Sequence, residues 1–168
     1  MSQDTFITQI CVVVHDVRQT NAHWARMLGR PEAEIITVFP PGILHYTHGQ
    51  AADYTDCQVA KYDLGHVVLE LIQPGPGASP WRAFLEARGQ GVFHFCVQVT
   101  DRKGFQDALA DIGVGLPYHI GYFPQGSYSY VAATEQLGLE LSVNYLVDDG
   151  ALFRGLQAGT VAPLAELK

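Results

Sequence analysis

Four polar residues of types that bind metal ions occur inside apolar, strand-like segments. Gln9 lies in TQICVVV, Glu70 in VVLELI, His94 in GVFHFCV and Glu140 in LGLELSV. One imidazole, one amide oxygen and two carboxylates form a mostly oxygen donor set, which suits octahedral binding of Zn, Ni, Co, Mn or Fe with two positions open. Two carboxylates on a largely apolar surface also need a balancing cation or a shared proton. These residue types therefore predict a divalent metal site.

The alternation of side chains along strands places these four residues on equivalent faces. Successive residues of a strand point to opposite faces, so Gln9 points away from the face that Val12 presents to a helix. His94 points away from the phenylalanines on either side of it, and Glu70 and Glu140 each lie between two leucines. All four polar side chains are therefore predicted on the face opposite the helices.

An internal repeat explains why the four positions correspond. QICVVVHD at 9–16 and HFCVQVTD at 94–101 share a Cys, two Val and a final Asp at one fixed offset. The segments 67–72 and 138–143 share the triplet LEL. Duplication of a whole supersecondary unit accounts for both matches.

Two stretches of the chain show the same predicted order of elements, β-α-β-β-β. Asp16 and Asp101 are N-caps for the two helices, and a connector between the stretches carries a short helix from Ser79 to Gly89. The segment 40–53, with its Pro, Gly and His residues, is predicted as a long loop. The predicted strands are 5–14, 33–39, 57–64 and 66–73, then 92–99, 116–122, 127–133 and 138–144.

The sequence therefore predicts an α+β fold in which two tandem βαβββ modules form a curved mixed sheet around a central cavity. We expect a single domain over 1–168. Its parts are a first module at 5–73, a connector at 74–91, a second module at 92–144 and a tail at 145–168, which lies across a partner or the cavity mouth or frays.

Composition narrows the classes of function. A net charge of −7 and a pI near 5.3, with scattered Lys and Arg, argue against nucleic acids and acidic membranes as partners. No signal segment or membrane-length apolar run is present, which predicts a cytoplasmic protein. The three cysteines have no CxxC spacing, so they are expected as reduced thiols of the core. Exposed sheet edges need covering, which predicts a homodimer.

The sequence resembles the vicinal oxygen chelate superfamily, which includes glyoxalase I, methylmalonyl-CoA epimerase, extradiol dioxygenases and bleomycin-resistance proteins. The resemblance covers about residues 5–145 and is carried by TQICVVVHDV, HWARMLG, VVLELIQP, SPWRAFLEARGQGVFHFCVQVTD and LGLELSVNY. It implies metal ligands at Gln9, Glu70, His94 and Glu140, in an order similar to that of zinc-type glyoxalase I. Where epimerases of the family have His, this chain has Gln9, and where glutathione-dependent glyoxalases have Asn, it has Pro74.

The resemblance implies a metal-dependent isomerase, epimerase or lyase for a small carbonyl substrate. A divalent metal that binds two neighbouring substrate oxygens would stabilise an enolate. Glu70 or Glu140 would then serve as the base that takes the α-proton. A second class stays open, a non-catalytic protein that sequesters a small molecule as bleomycin-resistance relatives do. Ring-cleaving dioxygenase chemistry prefers two histidines and one carboxylate, which is a poor match.

Structural roles are also open for the same residues. In the structural interpretation, His94 is a buried core histidine. Glu70 and Glu140 are then exposed residues of an open sheet. Cys11 and Cys96 are expected as small hydrophobic residues near the site. The loop 40–53 and the segment 118–130 carry histidines and tyrosines. His45 or His48 is an auxiliary acid or base in one interpretation and a solvated loop residue in the other, while the tyrosines line a pocket or pack in the core.

Overall fold

A computed structural model of the protein describes residues 6–37, 43–146 and 150–162. These ranges contain ten strands and five helices, which confirms the predicted α+β class. The strands are β1 Phe6–Val13, β2 Ile35–Thr37, β3 Leu44–Thr47, β4 Gln50–Ala52, β5 Gln58–Asp63, β6 Val68–Gln73, β7 Gly91–Val99, β8 His119–Phe123, β9 Gly126–Val131 and β10 Glu140–Tyr145. The helices are α1 Val17–Leu28, α2 Pro80–Arg88, α3 Arg102–Asp111, α4 Thr134–Leu137 and α5 Ala151–Gln157.

The described chain divides into two compact units. The first unit contains residues 8–37 and 54–95, with hydrogen-bonded strand order β2-β5-β6-β1-β7. The second unit contains residues 6–7, 43–53, 96–146 and 150–162, and its strand order is β7-β10-β9-β8-β3-β4. Strand β7 passes from the first unit to the second between residues 95 and 96. Each unit therefore has its own order of hydrogen-bonded strands.

In the first unit, α1 packs on one face of the sheet. The Asp16 side chain accepts a hydrogen bond from the Gln19 N–H at 2.9 Å, which confirms the predicted N-cap. Gly29 ends the helix in the left-handed conformation. The core between helix and sheet consists of Val14, Val17, Ala25, Ala60, Tyr62, Leu69 and Leu71, with Val12, Trp24 and Leu28 at its edge. Because Val12 and Val14 face the helix, the predicted assignment of strand faces in β1 is confirmed.

In the second unit, α3 makes the equivalent packing. Asp101 caps this helix through the Gly104 N–H at 2.9 Å, as predicted. Its core consists of Val97, Val99, Leu109, Val114, Val131, Ala133, Leu141 and Val143. Since Leu141 and Val143 face α3, alternation along β10 turns Glu140 to the opposite face.

The predicted long loop at 40–53 is wrong for the residues that the structure describes there. Strands β3 and β4 form a hairpin through a two-residue turn, His48 and Gly49, which have φ values of 51° and 78°. Two positive φ values are the requirement of a type I′ turn, which matches strand twist. β3 also pairs with β8, with His45 opposite Gly121 and Thr47 opposite His119. The hairpin thus extends the sheet of the second unit, while residues 38–42, including Phe39, lie outside the described part.

The tail forms helix α5, which the sequence analysis did not predict. Phe153 and Leu156 are buried against Ile120 and Tyr122 of β8 in the same unit. Residues 163–168 lie outside the described part of the chain. Among the described helices none has both the length and the apolar character that a membrane crossing needs.

The turn at Gly49 gives a test of the hairpin. Gly49→Ala is expected to lower the free energy of unfolding by about 1 kcal/mol, because a side chain at this positive φ is strained even where space is open. Gly115→Ala is the matched control, since it also meets open space and has no positive φ. Urea unfolding of both variants measures the difference, and equal stabilities would contradict the turn geometry.

Candidate functional site

Strand pairing in the first unit brings together three donor side chains. β1 and β6 run parallel with Cys11 beside Glu70, and His94 lies on β7, the next strand after β1. One donor atom from each of Cys11, Glu70 and His94 lies within 4.8 Å of the other two. All three residues are buried. We call these three residues the donor cluster.

Lys61 pairs its cationic side chain with this cluster. The sequence did not predict this role for Lys61. It lies opposite Glu70 in the antiparallel pair of β5 and β6, and its Nζ is 2.9 Å from Glu70 Oε2. Side-chain exposure is 49% for Lys61 and 10% for Glu70. The ion pair offsets part of the cost of burying the carboxylate, and the alternative of an exposed Glu70 is wrong.

His94 is held in the neutral form that binds metal. Its exposed fraction is 1%, and burial lowers its pKa from 6.5 to about 4 although the Glu70 charge acts in the opposite direction. A neutral imidazole is the form that donates a lone pair to a metal, so no proton has to be displaced at neutral pH.

Gln9 and Glu140 lie outside the donor cluster. Gln9 is half-buried on β1 beside Val68, two residues from Cys11 and therefore on the same strand face. Glu140 is on β10 in the second unit, where its Oε1 accepts a hydrogen bond from Thr134 Oγ1 at 3.0 Å. Its Oε2 is buried without a hydrogen-bond partner among the described residues. Both residues stay predicted ligands.

The donor cluster fits a divalent transition metal. A thiolate, an imidazole and a carboxylate are the three ligand types of zinc sites, and three protein ligands are the usual number where a position stays open for substrate. Ligands around one zinc ion are separated by roughly 3 to 4 Å, so donors within 4.8 Å need only a small closure.

The other two cysteines have different surroundings. Burial raises the pKa of the Cys57 thiol to about 11, so it stays protonated and unreactive at neutral pH. Cys96, the repeat partner of Cys11, has its Sγ 3.8 Å from the carbonyl oxygen of Val97. Only Cys11 among the three cysteines lies in the donor cluster. The sequence predicted Cys11 as a small hydrophobic residue near the site and not as a ligand; its place two residues from Gln9, on the same strand face, is the signal that could have suggested it.

The second unit contains a separate group of histidines and tyrosines on β3, β8 and β9. His45 is buried, so its interpretation as a solvated loop residue is wrong. The Tyr128 hydroxyl lies 2.9 Å from His45 Nδ1 and 3.1 Å from His119 Nε2. Burial lowers the pKa of His45 from 6.5 to about 4, and the charge of Asp53 acts against that shift.

The lowered pKa of His45 predicts a loss of stability in acid. Between the unfolded pKa of 6.5 and the folded value of about 4, the unfolded chain binds a proton that the folded chain does not. This contribution to stability is therefore complete above pH 6.5 and is lost as the pH falls toward 4. As the pH falls from about 7 to 5, we expect His45 to lower the free energy of unfolding by up to roughly 2 kcal/mol.

Urea unfolding at the two pH values measures this loss in the wild type, His45→Gln and His15→Gln. His15 is exposed and serves as the control. We expect the unfolding free energy of His45→Gln to depend less on pH than that of the wild type. The unfolding free energy of His15→Gln should depend on pH as the wild-type value does. An equal pH dependence in all three proteins would contradict a neutral, buried His45.

The chain belongs to the Glyoxalase/Bleomycin resistance protein/Dioxygenase superfamily, whose sequence profile matches residues 8–131. This match confirms the family expected from the sequence. Uncharacterized protein YqjC of Bacillus subtilis (strain 168) is 34% identical over 82 residues, which are 49% of this chain and 56% of that protein. The alignment thus spans little more than half of this relative.

Solved structures share the fold at low sequence identity. The hypothetical protein BH1468 from Bacillus halodurans C-125 matches with a TM-score of 0.60 and 14% identity, covering 86% of this chain and 96% of that chain. Methylmalonyl-CoA epimerase from Mycobacterium tuberculosis matches with a TM-score of 0.54 and 15% identity, covering 84% and 88%. A variant of 4-hydroxymandelate synthase from Streptomyces coelicolor matches with a TM-score of 0.57 and 13% identity, covering 88% of this chain and 40% of that chain. The shared feature is the fold, on which different chemistries are built.

Proposed function

We propose that this protein is a divalent-metal-dependent isomerase, epimerase or lyase that acts on a small carbonyl compound. The observation that carries the proposal is the donor cluster, in which a thiol, a carboxylate and a neutral imidazole meet at buried positions of three neighbouring strands. Membership of a superfamily that includes enzymes of this kind supports it.

Glu70 and His94 are the proposed principal ligands, with Cys11 as the third donor. Gln9 and Glu140 stay the further ligands that the sequence predicts. When bound, the metal would act as a Lewis acid toward the substrate oxygens. The further expectations of a homodimer and a cytoplasmic location stay predictions.

The residues of the site have separate tasks in the proposed reaction. Glu70 has two proposed roles: as a ligand its carboxylate would hold the metal, and as the base, when the substrate has displaced it, the same carboxylate would take the α-proton. The ion pair from Lys61 to Oε2 would hold the carboxylate in place during this transfer. Burial lowers the pKa of His94 to about 4, which makes its ring a weak base that does not compete for the proton. Burial of the cluster excludes water, which strengthens each electrostatic interaction in it.

Deuterium exchange tests the proposal. Zinc-reconstituted protein in D₂O is expected to speed the loss of the α-proton NMR signal of a small carbonyl compound from a panel of α-hydroxy ketones and thioesters. Chelator-treated protein and Glu70→Gln are expected to lack this activity. Exchange at the same rate with and without metal would contradict the metal-dependent function.

The ion pair between Lys61 and Glu70 favours a second candidate, a metal-free binding protein. The chain itself supplies a cation to the buried carboxylate, so charge balance alone does not require a metal. This candidate predicts that the protein stays metal-free after incubation with zinc and that Cys11→Ser leaves ligand binding unchanged.

A further inference from the structure

A groove of about 380 Å³ lies along the exposed side of helix α1 in the first unit. Its lining includes Asp16, Gln19, His23, Trp24, Met27 and Gln90. The positions 16, 19, 23 and 27 follow one another at steps of three or four residues, so their side chains share one face of the helix. Gln90 joins them from the segment between α2 and β7 of the same unit. The groove is therefore formed by side chains from two separate segments of one unit.

This groove is separate from the donor cluster. Helix α1 packs on the sheet face that Val12 and Val14 present, whereas Cys11 points to the other face of β1. No residue of the donor cluster lines the groove. A ligand in the groove would therefore bind without any metal.

One carboxylate, and no lysine or arginine, lines the groove. Asp16 Oδ1 accepts the N-cap hydrogen bond from the Gln19 N–H at 2.9 Å, and within the described part of the chain this side chain has no further hydrogen bond and no ion pair. The two arginines of α1, Arg18 and Arg26, lie outside the groove. A carboxylate without a paired cation attracts positive charge, and the net charge of −7 adds to that attraction. Charge complementarity therefore favours a cationic ligand.

Two apolar side chains give the groove an apolar part. Trp24 is half-buried and packs on the core of the unit while it lines the groove, and Met27 is 65% exposed. The face of an indole ring attracts a cation, and the flexible thioether of a methionine adapts to irregular shapes. The side-chain oxygens of Gln19 and Gln90 accept hydrogen bonds, which suits the three N–H donors of an ammonium group. The groove thus offers apolar contacts and hydrogen-bond acceptors beside a negative charge.

We propose that this groove is a binding site for a small organic ammonium compound with an apolar body. The ammonium group pairs with Asp16 and donates hydrogen bonds to Gln19 and Gln90. The apolar body lies against Trp24 and Met27. Positions 16 and 24 are separated by roughly 12 Å along the helix, so an elongated compound with its charge at one end fits. Neither a metal nor the proposed reaction is needed for this binding.

Three probes that share an aromatic body and differ in their end group test the preference for charge. They are 4-phenylbutylamine, 4-phenylbutanol and 4-phenylbutyrate, titrated into the metal-free full chain at pH 8, where histidines are ordinarily neutral. The amine is expected to bind about five- to tenfold more tightly than the alcohol, the combined effect of an exposed ion pair and a cation–π contact. The carboxylate probe is expected to bind more weakly than the alcohol, because Asp16 repels it. NMR signals of the Gln19 and Gln90 side-chain amides and of the Trp24 indole report binding in the groove.

A variant at Asp16 separates the charge of this residue from its role as an N-cap. Asp16→Asn removes the charge and keeps the cap, because Asn caps helices about as well as Asp. It is expected to reduce the affinity for the amine to that for the alcohol and to leave the affinity for the alcohol unchanged. Asp101→Asn makes the same change at the N-cap of α3 in the second unit and should leave the binding of all three probes unchanged. Urea unfolding of both variants checks that they stay folded.

Two kinds of result would overturn the ammonium site. One is a wild type that binds none of the probes in the groove, or binds the alcohol or the carboxylate as tightly as the amine. The other is an Asp16→Asn variant that keeps the wild-type preference for the amine. Since metal-free protein is used throughout, loss of metal binding in donor-cluster variants leaves these results unchanged.

Discussion

His94→Ala is expected to weaken zinc binding by at least about 100-fold. Removing a group that only hydrogen-bonds to a metal ligand weakens binding by up to about 100-fold, and removing the ligand itself should cost at least as much. The imidazole is the neutral nitrogen donor of the donor cluster, and its burial keeps it ready for metal at neutral pH. Competition with a chromophoric chelator measures the affinity. Because His94 fills a buried position, His94→Gln is made beside it to keep the volume of the side chain.

Matched variants show whether the effect belongs to the donor cluster. Cys11→Ser is expected to weaken binding, while Cys96→Ser, at the repeat-equivalent cysteine, is expected to leave it within about twofold. His23→Ala removes an exposed histidine and controls for binding at the surface. Equal zinc affinities in Cys11→Ser and Cys96→Ser would remove Cys11 from the ligand set.

Lys61→Met is expected to change stability and metal affinity in opposite directions. Without Lys61, the buried Glu70 carboxylate loses its partner, so the metal-free protein should lose about 1 to 2 kcal/mol of unfolding free energy, a modest value because Lys61 is half exposed. Zinc affinity should rise roughly tenfold, because a competing cation has left.

Urea unfolding of the metal-free protein and the chelator titration measure the two effects. Lys103→Met is the control, because Lys103 pairs with Asp107 at 2.6 Å on an exposed helix face, and neither quantity should change. A Lys61→Met variant that binds zinc more weakly would show that Lys61 supports the metal site instead of competing with it.

Local sequence signals were sufficient for most of the fold. Asp16, Ser79 and Asp101 each cap the helix predicted for them, because a short polar side chain before an apolar periodic run satisfies the first free N–H groups. The faces of β1 and β10 followed from alternation. The same reasoning placed Glu70 and His94 on one face, and the structure brings those two together with Cys11.

Features that depend on pairing between distant segments were not predictable in this way. The hairpin turns at His48 and Gly49, whereas turns of this type most often have the sequence Asn-Gly. The prolines that precede the hairpin in the sequence also favoured the prediction of a loop. Lys61 reaches Glu70 only through the register of β5 and β6, which no local pattern fixes. His45 and Tyr128 are 83 positions apart, so nothing in the sequence indicated the contact between them.

The measurement that most directly tests the central claim is the metal content of the wild-type protein, purified without chelators and again after zinc reconstitution, by elemental mass spectrometry. The proposed function predicts about one divalent transition metal per chain, and it predicts that His94→Ala loses this metal. A wild type that stays free of metal after reconstitution would contradict the metal site and leave the metal-free binding protein as the better description.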